Sequence, residues 1–152
     1  MLIYILWGFI LPWLFGLLLV IKVPKIMVIF LPICVAIAFI INTWGFNYYW
    51  SLKIKNNELS LSAFPFNLGL YPILGCLYII SIYFKKLNII IAIVFFTLIT
   101  TLIEFWALCK GQVIYRNGWT IYYTAISYFF AYIIVLSYYK LILYFGLLDK
   151  QQ

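Results

Sequence analysis

Five apolar runs, at residues 2–21, 26–43, 65–84, 87–109 and 119–139, follow one another with only lysines and short polar stretches between them. A helix rises about 1.5 Å per residue, so about 20 residues cross the ~30 Å hydrocarbon layer of a bilayer. Each run is therefore the length of one crossing. A backbone in lipid must satisfy its own polar groups, which leaves helices or a closed barrel, and unbroken apolar runs are the helical form. The sequence predicts an all-α integral membrane protein, a bundle of about five transmembrane helices forming a single membrane domain over residues 1–152. With 68% hydrophobic and 9% charged residues, the chain lies far from the roughly 45–50% and about 25% of soluble domains.

The ends of the pattern need separate reading. The first run lacks a basic leading segment and a small-residue cleavage site, so it is expected to be a retained span. A further apolar stretch, 141–148, follows Lys140 and is too short to cross, so it either extends the fifth helix as a fraying end or lies in the interface. An odd number of spans argues against two equal inverted halves.

The formal charge is +7, but the basic residues sit at span ends, where they meet lipid headgroups. Lys53, Lys55, Lys110 and Arg116 fall on one side, and Lys22, Lys25, Lys85, Lys86, Lys140 and Lys150 on the other. This bias favours an outside N-terminus and a cytoplasmic C-terminus. The expected partners are membrane lipids, with a partner membrane protein or a homo-oligomer as further options, and no nucleic acid. The chain has no histidine, which excludes Ser-His-Asp triads, Cys-His dyads and imidazole metal sites. Cys34, Cys76 and Cys109 show no paired spacing and read as small packing residues. No metal site and no cofactor are expected.

Helix faces carry more than motifs do. Gly8, Pro12 and Gly16 recur every four residues, giving the first helix a narrow face for close approach of a neighbour. Thr97, Thr100, Thr101 and Glu104 share one side of the fourth helix, and Thr120, Thr124, Ser127 and Ala131 share one side of the fifth. These two stripes are expected to face each other. Glu104 is the one acid inside a predicted span. Keeping it charged in mid-membrane costs of order 3 kcal/mol, and protonating a carboxylate of reference pKa ~4.3 at neutral pH costs roughly 3.7 kcal/mol. A partner is therefore expected, and it must come from another element: Arg116, Lys53, Asn67 or a Tyr hydroxyl. Glu104 lies only about 7–8 Å from the helix end, where snorkelling softens the penalty.

The segment Ile103-Glu-Phe-Trp106, then Arg116-Asn-Gly-Trp-Thr-Ile-Tyr122, preceded by Phe66-Asn-Leu-Gly-Leu-Tyr-Pro72, resembles a family of small uncharacterised multi-spanning membrane proteins of spore-forming Firmicutes. The resemblance covers roughly residues 64 to 135 and implies a membrane bundle in the cell membrane, or in the spore membrane, without implying an activity. Family members often carry Asp where Asn67 stands, so a charge network would be thinner here. Span order brings Asn67, Tyr71, Glu104, Trp106, Arg116, Trp119 and Tyr122 to one membrane face, beneath the long connection that carries Asn47, Tyr48, Tyr49 and Trp50. These seven form the candidate ligand-binding set, with Glu104 the candidate catalytic residue. The function expected first is a non-enzymatic lipid- or partner-binding bundle. The alternatives are a small intramembrane enzyme acting on a lipid or isoprenoid, with Glu104 as general acid, and a proton or small-solute transport component.

Overall fold

The computed structural model describes residues 2–53, 63–85 and 87–148. Lys55, Lys86 and Lys150 of the charge bias, and residues 54–62 of the long connection, lie outside the described residues. Five helices are long and apolar enough to cross a membrane: Leu2–Lys22, Pro24–Tyr48, Ala63–Tyr83, Ile89–Cys109 and Ile121–Tyr144. The chain is thus a multi-pass helical bundle, as the apolar runs require.

Two helices outrun their apolar segments. The second continues past residue 43 to Tyr48, because Asn42, Thr43 and Asn47 interrupt hydrophobicity without breaking helical geometry. The fifth continues past 139 because Lys140 is exposed and can carry its charge outward on its own stem. Residues 141–144 therefore extend the fifth helix. Gly146, at φ +68°, then reverses the chain, with Gly146 N donating to Leu143 O and Leu147 N to Ile142 O, and Leu148 folds back into the core.

The third helix stands at the centre. It packs on all four others, while the surrounding helices touch in the order first, second, fifth, fourth. Half of its apolar window is buried inside the protein, against 17% for the fourth helix. It is also the least hydrophobic of the five, which follows from its position, since a helix facing protein can carry Asn67, Tyr78 and Ser81 inward where a lipid-facing helix cannot.

The first and third helices meet where both carry the same local device. Each has one π-helical segment, Leu6–Ile10 and Phe66–Leu70, followed at once by a proline at the second residue of the next turn, Pro12 and Pro72. Proline has no N–H to give to the carbonyl four residues back, so Gly8 O and Leu68 O lose their usual partners. Trp13 Nε1 donates to Leu68 O at 2.9 Å. Gly8 O lies only 2.2 Å from where a Cβ on Gly69 would stand, so the two backbones touch through a carbonyl and a Cα. The narrow face of the first helix read from Gly8, Pro12 and Gly16 meets the third helix here, with Gly16 against Ile73.

The structure also contains two short strands, which a purely helical expectation lacks. Trp50–Leu52 pairs antiparallel with Val113–Tyr115 in the register Trp50↔Tyr115, Ser51↔Ile114 and Leu52↔Val113. Lys53 N donating to Gln112 O at 2.9 Å and Arg116 N to Tyr49 O at 2.7 Å extend the ladder at both ends. The pair ties the second-to-third connection to the fourth-to-fifth connection on one membrane face. Tyr4 adds the first helix to it, its hydroxyl 2.7 Å from Gln112 Oε1 and 3.2 Å from Lys53 O.

Candidate functional site

The fourth and fifth helices run antiparallel, so one turn up on one helix matches one turn down on the other. Glu104 lies opposite Tyr128, and one turn deeper Thr100 lies opposite Tyr132. Tyr128 donates to Glu104 Oε2. On the other carboxylate oxygen, Tyr115 donates to Oε1 at 2.8 Å and Thr124 Oγ1 approaches it at 3.2 Å. Thr100 gives its proton to Phe96 O at 2.7 Å, so the 2.7 Å contact with Tyr132 is a bond that Tyr132 donates.

A second layer orients these donors. Trp119 Nε1 donates to Thr124 Oγ1 at 2.9 Å, which leaves the threonine proton for Glu104. The Tyr71 hydroxyl lies 3.2 Å from that of Tyr128, with Tyr71 on the acceptor side. The Tyr115, Thr124 and Tyr128 hydroxyls all direct hydrogens at the carboxylate, the pattern that suits an acceptor-only group. Burial, and after it the nearby Glu104 charge, pushes the Tyr115 hydroxyl up, so Tyr115 remains a donor.

The expected polar stripes therefore meet only in part. Thr100, Glu104 and Thr124 make contacts between the helices, whereas Thr101 bonds back to Thr97 O at 2.7 Å and Ser127 to Tyr123 O at 3.0 Å within their own helices. Of the expected partners for Glu104, the tyrosine hydroxyls take the role. Lys53 and Arg116 are exposed. Asn67 is buried and accepts from Asn42 Nδ2 instead.

Of the seven candidate ligand-binding residues, Glu104, Tyr71 and Trp119 share the hydrogen-bonded cluster. Trp119 also sits in an aromatic group with Tyr49 at 4.5 Å, Trp50 at 5.1 Å and Tyr123 at 5.4 Å between ring centroids. Tyr122 is 78% exposed, and Trp106 points away from Glu104 onto Trp7, ring centroids 5.7 Å apart. The residues that sequence reasoning passed over are Tyr115 and Tyr128. Tyr128 follows Thr124 by one turn on the fifth helix, so counting tyrosine as a polar face residue would have found it, whereas Tyr115 stands in a strand and belongs to no helical stripe.

Two hollows adjoin this cluster and a third lies outside it. The first two, each about 60 Å³, lie against Glu104; both include Asn42, Trp50, Tyr71, Thr100 and Tyr128 in their walls. The third is a groove of about 1040 Å³ on the outside of the bundle, between the first and fourth helices, which the Trp7–Trp106 ring contact bridges. Ile3, Trp7, Leu11 and Phe15 form one wall, Leu102, Ile103 and Trp106 the other, and Leu70, Leu74 and Leu77 the floor. Lys110, Gln112 and Tyr4 stand at its strand-side end. Compared with models of known protein families, with curated proteins and with solved structures, the chain finds no match.

Proposed function

We propose that this chain is a non-enzymatic component of the cell membrane, or of the spore membrane that its sequence resemblance implies, and that its bundle holds a membrane lipid. The outer groove carries this reading. Its wall from Ile3 to Phe15 is about 18 Å deep at 1.5 Å per residue, close to the ~15 Å thickness of one leaflet of hydrocarbon. Its volume reaches the upper end of the roughly 300–1,000 Å³ of ligand sites. Its occupant is an acyl chain of a phospholipid in the strand-side leaflet. Lys110, at the end where the headgroup would lie, supplies the charge that a phosphate meets.

The enzymatic alternative has less support, because hollows of about 60 Å³ beside Glu104 hold a few waters and no lipid headgroup. Native mass spectrometry of protein released from mild detergent tests the lipid reading. Wild type is expected to carry phospholipid, and Leu74→Trp, which fills the floor of the groove, is expected to lose it with an unchanged melting temperature. Wild type that carries no lipid, or a variant that carries as much, removes the proposal. Retention of a protein mass in place of a lipid would assign the groove to a partner membrane protein or a second copy.

A further inference from the structure

A carboxyl group inside a protein takes a proton or has its charge balanced by an opposite charge or a metal ion, and the hydroxyl donors converging on both oxygens of half-buried Glu104 select the charged form. Glu104 is the only acid among the described residues, and each group that holds it, Tyr115, Thr124 and Tyr128, is a neutral hydroxyl. These donors spread the carboxylate charge without cancelling it. Lys53, Lys110 and Arg116, the described cations on this face, are exposed. The two hollows of about 60 Å³ adjoin the carboxylate, and a water needs roughly 10–15 Å³ of such space.

We infer that these hollows hold a small monovalent cation, an alkali-metal ion or ammonium, against Glu104. One carboxylate balances one positive charge. A divalent ion would demand six or more oxygen ligands, or a strict octahedral shell, around this single anionic group. Further oxygen comes from the Tyr71 hydroxyl and from Asn42, which uses its amide N–H on Asn67 and keeps its carbonyl oxygen as an acceptor. The rings of Tyr71, Tyr128 and Trp50 in the same walls favour a cation over a neutral guest. One hollow extends to Gln112 and Val113 beside the strand pair, which gives an entry side. Toward the opposite face Phe30, Tyr78 and Ile79 are fully buried and close the bundle, so the site binds an ion without conducting it. This inference does not depend on a lipid in the outer groove.

Thermal unfolding followed by tryptophan fluorescence decides it. The wild-type protein is measured in sodium, potassium, ammonium and N-methylglucamine chloride at matched ionic strength. A saturable rise of about 3 °C or more in a small cation over N-methylglucamine is expected. The sodium, potassium and ammonium arms separate the two sources. Glu104→Gln, which keeps the size and loses the charge, is expected to abolish the rise. Equal midpoints in all four salts overturn the inference, and so does a rise that survives in Glu104→Gln. Should that variant fail to fold, Tyr71→Phe keeps the ring and removes one ligand oxygen. The concentration giving half the rise is then expected to increase severalfold, and an unchanged value overturns the inference.

Discussion

Removing the Tyr128 hydroxyl leaves Glu104 Oε2 without the donor that holds it, while removing that of Tyr132 leaves only the neutral Thr100 oxygen short of one. Hydrogen bonds to charged groups contribute about 1.5–3 kcal/mol, whereas side-chain bonds between membrane helices average about 0.6 kcal/mol. Reversible unfolding in mixed micelles is therefore expected to show Tyr128→Phe destabilised by about 2 kcal/mol and Tyr132→Phe by well under 1 kcal/mol. Equal losses would mean that Glu104 carries no charge that Tyr128 stabilises. The cysteines separate on a different criterion. Cys34 and Cys76 are buried between helices, and Cys109 is exposed at the strand-side end. Maleimide in mild detergent should add one label per chain at Cys109, and three only after denaturation, read by intact mass.

Helix contacts in this bundle turn on glycines set against backbone. A Cβ at Gly69 would stand 2.2 Å from Gly8 O and 2.8 Å from Phe9 Cα, both main-chain atoms, so the first and third helices must separate to admit it. Gly69→Ala is expected to cost about 1–3 kcal/mol, the range of overpacking. At Gly75 the obstacle is Cys34 Sγ at 2.5 Å, a side-chain atom. Gly75→Ala should therefore regain stability when combined with Cys34→Ala, a compensation unavailable at Gly69; paired thermal melts of single and double variants check this. The same contrast shows what could be read from the sequence. Spans, their number and the narrow face of the first helix follow from apolar length and Gly8, Pro12 and Gly16, properties of single segments. The partner of that face was not legible, because Gly69 is one unremarkable glycine until the third helix is placed beside the first. Glu104 announced itself by charge alone. Tyr115 did not, since its approach depends on a strand pairing between two connections far apart in the chain.

The odd number of crossings sets the two faces of the whole molecule apart. Lys53 and Lys110 lie on the strand side, and Lys22 and Lys85 at the opposite helix ends. A membrane-impermeant amine reagent added to sealed, uniformly oriented vesicles should modify one pair and spare the other. Modification of both pairs would contradict five crossings. The strand pair has a consequence for how the chain is made. Trp50–Leu52 leaves the ribosome before the third and fourth helices, yet its partner, Val113–Tyr115, follows both. Until those two helices are in the bilayer, the first strand presents an unpaired edge, the kind of surface that recruits other chains. Pairing can occur only once four of the five spans have been delivered. The latch therefore closes late, and a ribosome that stalls before Val113 releases a chain whose open edge marks it as unfinished.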